Sequence, residues 1–130
     1  MRALLLPVAY ETYAVELSQL RAVVGEPRIF PIPTAPKHVL GAMNVRGEIV
    51  AVLDTAALLG IGGLETYEFV AVIDHDLGAI ALAAEGRPVT GQLGEQVAPA
   101  DLLGTAGTFA VESGVATLLD LRVLLSPVAA

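Results

Sequence analysis

The sequence contains no cysteine, only two histidines, and few aromatic residues. Without cysteine there can be no disulfide, no thiol catalysis and no cysteine-ligated metal, and this composition fits a reducing compartment, so we expect a cytoplasmic location. Aromatic residues make up 5% of the chain, which argues against an apolar ligand pocket because such pockets are typically lined by aromatic rings. We therefore predict no enzymatic activity, no cofactor and no metal site.

Positive charge is also scarce, because 7 Lys and Arg residues stand against 14 Asp and Glu residues, for a net charge of −7. An acidic chain repels phosphate backbones and anionic lipids, so we expect no nucleic-acid partner. No uninterrupted apolar run reaches the roughly 18 residues that a membrane span needs, so we expect no direct membrane insertion. The few cations are scattered, which makes any conspicuous arginine informative.

Hydrophobic residues nevertheless make up 55% of the 130 residues, so we expect a folded protein. They occur in short runs separated by Gly, Pro and acidic turns, a pattern typical of an all-β sandwich or barrel. The length fits a single domain over 1–130, built as two lobes that share a core. Glycines at positions 60, 62 and 63 look like a linker, so we place the lobe boundary at roughly 60–66.

Most of the chain is predicted to form short strands. Residues 18–24 fit either one helical turn or an irregular crossing, and 99–103 predicts a helical turn because proline suits the first helical position. A turn is predicted at 46–48, between two apolar strands. The other predicted strands are 3–9, 13–17, 28–32, 68–73, 79–84, 88–93, 108–111 and 115–118.

Two segments 66 positions apart, 50–59 and 116–125, show the same order of strand, aspartate and short apolar helix. We interpret them as a weak internal duplication; the alternative is that unrelated strand-to-helix transitions look alike. Asp54 and Asp120 would each cap a helix by accepting hydrogen bonds from its first turn. Capping explains these carboxylates better than acid–base catalysis, because no base or nucleophile accompanies them.

The sequence Asp74-His75-Asp76 looks superficially like a metal cluster. It lies in a predicted tight turn, where adjacent side chains point apart, whereas zinc ligands must converge. We therefore interpret it as a solvated turn. The glycines near position 60 form no phosphate-binding loop either, because no Gly-Lys-Ser/Thr follows them.

Residues 34–54, TAPKHVLGAMNVRGEIVAVLD, resemble the signature of the CheW-like family: proline, glycine, an Asn-Leu-Arg-Gly core, and an apolar strand ending in aspartate. Residues 13–23 resemble the family's opening strands, and 118–125 resemble its closing strand and helix. This sequence has Val45 in place of the core leucine, Ala22 where the family often has glutamate, and Leu82 where it usually has aspartate.

The resemblance implies an all-β fold of two intertwined five-stranded SH3-like barrels with a hydrophobic core between them. It implies a non-catalytic adaptor that couples a histidine kinase, through its regulatory domain, to the cytoplasmic tip of a chemoreceptor. Two alternatives stay open. One is a CheW-like scaffold in a signalling system other than chemotaxis, and the other is a β-barrel module that self-associates through unpaired strand edges.

The resemblance also implies a set of partner-binding residues. Arg46 would present its guanidinium at a hairpin tip for bidentate contact with a carboxylate, or it would pair with Glu48 to hold the turn. The apolar residues around it would form either an exposed patch or part of the core. The expected partner-binding residues are Leu20, Gly41, Asn44, Val45, Arg46 and Gly47.

Overall fold

The computed structural model describes residues 1–76 and 78–129, and most of them lie in β-strands. None of the described helices is long and apolar enough to cross a membrane. The strands are β1 Arg2–Val8, β2 Glu11–Glu16, β3 Leu20–Gly25, β4 Val39–Val45, β5 Glu48–Leu53, β6 Phe69–His75, β7 Gly78–Ala84, β8 Val89–Gln92, β9 Gln96–Ala98, β10 Thr105–Val111 and β11 Gly114–Leu119. The helices are α1 Thr55–Leu59, α2 Leu121–Leu124 and α3 Ser126–Ala129.

The first barrel is a five-stranded sheet in the order β3-β6-β7-β5-β4. Its strands are antiparallel except for β5 and β7, which are parallel. Phe30, in the segment after β3, closes the barrel because it exchanges backbone hydrogen bonds of 2.8 and 2.9 Å with Ala42 of β4. The interior is filled by Met43, Val50, Val52, Val70, Val72, Ala81 and Ala83.

The second barrel is a sheet in the order β8-β1-β2-β11-β10-β9. Strand β8 pairs with β1, and β9, which follows it in the chain, pairs with β10. These two short strands therefore lie end to end and together take the place of one strand in a five-stranded barrel. The Leu93 N–H donates to the Met1 carbonyl at 2.9 Å, and the Gly94 N–H donates to the Ala110 carbonyl at 2.8 Å. The predicted all-β fold of two five-stranded barrels is therefore confirmed.

The chain crosses between the barrels at 17–19 and at 85–88, so the second barrel combines β1 and β2 with β8 to β11. The sheets do not divide at 60–66, where the sequence predicted the lobe boundary. That loop joins α1 to β6 inside the first barrel. Glycines mark a turn, but they carry no information about which sheet the flanking strands will join.

A large apolar core lies between the barrels. Tyr13 is buried in it, and burial together with a 3.2 Å hydrogen bond to the Glu11 carboxylate raises the pKa of the tyrosine to about 12. Because both barrels contribute side chains to this core, neither barrel could bury its apolar face without the other. Its buried members include Leu4, Leu6, Val8, Val15, Leu53, Ile73, Ile80, Leu82, Leu119, Leu121 and Leu125.

Three local predictions differ from the structure. Residues 18–24 form a 3-10 turn at Leu17–Gln19 and then β3, in which Ala22 and Val24 pack against the barrel interior. Residues 28–32 form only the single bridge at Phe30, because the neighbouring prolines have no N–H to donate.

The helical turn predicted at 99–103 is wrong. The Thr105 hydroxyl donates to the Leu102 carbonyl at 2.6 Å and lies 3.4 Å from the Leu102 N–H. A side-chain partner of this kind competes with the backbone bonds that would continue a helix. Proline at position 99 suits a helix start, but the sequence around it does not reveal that competition.

The two closing units predicted from the sequence have the same geometry. Asp54 and Asp120 each accept a hydrogen bond from the third residue after them, at 3.0 and 3.4 Å. Each also donates its own N–H, at 2.8 Å, to a carbonyl at the start of the preceding hairpin. In both units the hairpin's second strand pairs in parallel with a strand from elsewhere in its barrel. These shared details support the internal duplication.

The two capping aspartates are expected to differ in their contribution to stability. Asp54 is buried, and its second oxygen also accepts the Leu64 N–H at 3.1 Å, whereas among the described residues the Asp120 carboxylate accepts only its long cap bond. Asp54→Ala should therefore lower the free energy of unfolding by about 2 kcal/mol and Asp120→Ala by about 1 kcal/mol. Urea unfolding of both variants tests this, and equal losses would show that the Leu64 bond adds nothing.

Candidate partner-binding surface

The tip of the β4–β5 hairpin is a two-residue turn formed by Arg46 and Gly47, with φ values of +51° and +90°. Positive φ at both positions is the pattern of a type I′ turn, which suits the twist of a hairpin. The Asn44 side-chain oxygen accepts the Gly47 N–H at 2.8 Å and fixes the turn. Val45 packs against the barrel interior, so Arg46 is the cation that this tip presents to solvent.

Arg46 does not pair with Glu48, which was the structural alternative to partner binding. Glu48 accepts instead from the Arg21 guanidinium at 3.0 Å. Among residues 1–76 and 78–129, Arg46 forms no ion pair with any carboxylate. Its guanidinium is therefore exposed and can meet a carboxylate on another molecule, where planar bidentate contacts are strongest.

Arg21 connects three strands at this end of the first barrel. From β3 it donates to Asp74 at the end of β6, with a distance of 3.0 Å from Nε to Oδ1, and to Glu48 at the start of β5. The hydrogen bonds to Asp74 and Glu48 raise the pKa of Arg21. This cluster ties the start of β3, where Leu20 lies, to the hairpin that carries Arg46.

Leu20 is half-buried and packs against the core between the barrels, with its edge open to solvent. It is the neighbour of Arg21, so it belongs to the same end of the barrel as the β4–β5 tip. Through the Arg21 side chain, the structure thus links the strand that carries Leu20 to the hairpin that carries Asn44 to Gly47, although they lie far apart in sequence. Whether a partner contacts them stays a prediction.

Gly41 lies inside the barrel wall rather than on the exposed tip. A Cβ at this position would stand 2.8 Å from Ile29 Cγ2 and 2.9 Å from the Phe30 carbonyl carbon, with the Phe30 oxygen closer still. The absence of a side chain therefore allows the close approach that closes the barrel. Any effect of Gly41 on a partner would pass through the shape of this wall.

The other polar groups singled out from the sequence have local structural roles. Asp54 and Asp120 cap helices, and Asp74 pairs with Arg21. His75 ends β6, and Asp76 follows it in the turn before β7. Over 1–76 and 78–129, no group of three or more His, Asp and Glu side chains is arranged to hold a metal ion.

Sequence reasoning missed Arg21, Phe30 and Ile49, which all lie near the predicted site. The partners of Arg21 are 27 and 53 positions away, so no local pattern could reveal them. Ile49 could have been found, because it alternates with the inward-facing Val50 and must therefore point outward. Phe30 lies in the predicted strand 28–32, but no local pattern identified Ala42 of β4 as its partner.

Two interleaved barrels that share a core define a small all-β domain. The functional feature that stands out in it is an exposed arginine at the tip of a surface hairpin. More particularly, the chain belongs to the CheW-like domain family, because a family model described as "CheW-like domain" matches residues 2–128. The resemblance noted in the sequence is confirmed.

Two known proteins illustrate the similarity. The chain is 33% identical over 58 residues to "Chemotaxis protein CheW" of Rhizobium meliloti (strain 1021), an alignment that covers 45% of this chain and 37% of the relative. The chain thus matches little more than a third of that relative's length. In structure it is similar to the scaffolding protein TtCheW from Thermoanaerobacter tengcongensis, with a TM-score of 0.77, 19% identity, and coverage of 96% of this chain and 92% of the other. At that identity the likeness shows the fold.

Proposed function

We propose that this chain is a non-catalytic adaptor of chemotaxis-type signal transduction. It couples a histidine kinase, through the kinase's regulatory domain, to the cytoplasmic tip of a chemoreceptor, and it acts in the cytoplasm. Membership of the CheW-like family supports this proposal, as does the similarity to proteins named for chemotaxis and for scaffolding. The structural observation that carries it is the exposed Arg46, which has no carboxylate partner within residues 1–76 and 78–129.

The residues of the proposed site have different roles. Arg46 makes the direct contact with a partner carboxylate, because a guanidinium fork matches the geometry of a carboxylate. Asn44 and Gly47 hold the turn that presents it, through the 2.8 Å bond between them. Leu20 adds an apolar contact beside the Arg21 cluster, while Val45 and Gly41 maintain the wall beneath.

Size-exclusion chromatography with purified partners tests the proposal. The chain is mixed with a kinase regulatory domain, with a soluble chemoreceptor-tip fragment, and with both. Co-elution with each partner supports the adaptor. A large homo-oligomer that excludes both partners would favour the self-associating module, and a chain that stays monomeric and binds neither partner would contradict the proposal.

A further inference from the structure

An unbroken row of apolar side chains crosses the outer face of the first barrel. Each member is the sheet partner of the next, so the row runs from β3 across every strand to the Phe30 bridge. Its middle is buried in the core between the barrels, whereas Phe30 at its end is 56% exposed. In order, the row consists of Leu20, Ile73, Ile80, Ala51, Ala42 and Phe30.

The exposed end of this row widens into a patch. Ile49 is the sheet partner of Asn44, and its side chain is 70% exposed. Side chains alternate along β4 and β5, and Met43 and Val50 fill the interior. Asn44 and Ile49 therefore share the outer face with Ala42 and Phe30, and we name these four residues the Phe30 patch.

Two cations border the Phe30 patch. The Arg28 guanidinium lies 6.0 Å from the centroid of the Phe30 ring, and Arg46 occupies the turn that follows β4. Across 1–76 and 78–129, neither arginine forms an ion pair with a carboxylate. On a chain of net charge −7, this face therefore combines two cations that have no ion pair among the described residues with the exposed apolar side chains of Phe30 and Ile49.

The second barrel shows that the fold does not require this chemistry. At the positions 66 residues further on, Ala42 and Ala51 correspond to Thr108 and Thr117, whose hydroxyls are hydrogen-bonded at 3.2 Å. By its pairing, Phe30 corresponds to Ala98, which is the sheet partner of Thr108, and Arg46 corresponds to a glutamate at position 112. The equivalent hairpin of the second barrel therefore has two threonines and an anion where the first barrel has two alanines and Arg46, although Val115 keeps the exposed apolar position of Ile49. The second barrel thus closes without a large aromatic side chain at the position of Phe30 and without a cation at its hairpin tip, so closure alone does not explain Phe30 and Arg46.

We propose that the Phe30 patch docks an acidic protein segment that also presents apolar side chains. Apolar groups of the segment would cover Phe30 and Ile49, and its carboxylates would meet Arg28 and Arg46. Binding sites often combine an apolar centre with a charged rim in this way. The inference rests on the proposed adaptor function, and it extends that site from the turn at Arg46 along the outer face to Arg28.

The apolar part is tested by titrating the kinase regulatory domain and the receptor-tip fragment separately with Phe30→Ser and Ile49→Ser variants. Val115→Ser is the matched control, because Val115 occupies the position of Ile49 in the second barrel and is also exposed. We expect both patch variants to bind one of the two partners at least tenfold more weakly, and the control to bind like the wild type. If Phe30→Ser lowers the thermal midpoint, Ile49→Ser, whose side chain points into solvent, decides the result.

The charged part is tested with Arg28→Glu and Arg87→Glu. Both guanidiniums stack on a phenylalanine ring, since Arg87 lies 5.3 Å from the Phe69 centroid, so Arg87 controls for charge and stacking. We expect Arg28→Glu to weaken binding and Arg87→Glu to leave it unchanged. The loss of affinity in Arg28→Glu should be smaller at high salt, because salt screens the charges. If the wild type binds but the patch variants bind equally well, the patch proposal fails while the adaptor function stands. If the wild type binds neither partner, both proposals fail.

Discussion

Gly41→Ala is expected to lower the free energy of unfolding by about 3 kcal/mol or more. This is a large effect for a substitution that adds a single methyl group. The added carbon would fall 2.8 Å from Ile29 Cγ2 and 2.9 Å from the Phe30 carbonyl carbon. Phe30 cannot move away without cost, because its two hydrogen bonds to Ala42 close the first barrel. The substitution should therefore open the barrel at this seam.

Urea unfolding of Gly41→Ala against the wild type measures this effect. Gly63→Ala is the matched control, because a Cβ there would meet only Asp54 Oδ2, at an ordinary contact distance of 3.4 Å. We expect the control to change the free energy of unfolding by no more than about 0.5 kcal/mol. Equal losses in the two variants would show that the seam tolerates a side chain, and that Gly41 has another role.

Leu82→Ala is expected to cost about 2–5 kcal/mol, because it leaves a cavity in the core between the barrels. Leu82 is fully buried, and its sheet partners are Ala71 on one side and Leu53 on the other. The resemblance to the CheW-like family implies an aspartate near this position in relatives. In this chain an aspartate there would bury a charge without a partner, so Leu82→Asp should prevent folding at neutral pH.

The measurement is thermal and urea unfolding of Leu82→Ala beside Leu103→Ala. Leu103 is 84% exposed, so removing the same atoms there should change the free energy of unfolding by less than about 0.5 kcal/mol. A Leu82→Ala protein as stable as the Leu103→Ala control would mean that the core between the barrels does not hold the fold together.

Features determined by neighbouring residues were predictable from the sequence. The Arg46-Gly47 turn, the caps at Asp54 and Asp120, and most strands follow from glycine position, capping chemistry and the alternation of apolar residues. The strand-to-helix echo also identified two equivalent closing units. Each of these features depends on contacts within a few positions along the chain.

Features that depend on distant contacts were not predictable from local patterns. The boundary expected at 60–66 failed, because the partner strands of β6 are β3 and β7, and no local signal identifies β3. The family resemblance implied that the barrels intertwine, but it did not locate the crossings. Within the site, the sequence left Arg46 with two readings, and the pairing of Glu48 with Arg21 decided against the internal one.

The most direct test of the adaptor proposal is calorimetric titration of a kinase regulatory domain with wild-type chain, Arg46→Ala and Arg87→Ala. Because the proposal gives Arg46 the direct contact with a partner carboxylate, its removal should weaken binding at least tenfold, about 1.4 kcal/mol. Because Arg46 has no internal ion pair in the described residues, the thermal midpoint should not change. Arg87→Ala should bind like the wild type. Unchanged affinity in Arg46→Ala, or a loss of affinity matched by a loss of folding, would contradict the assigned role of this hairpin.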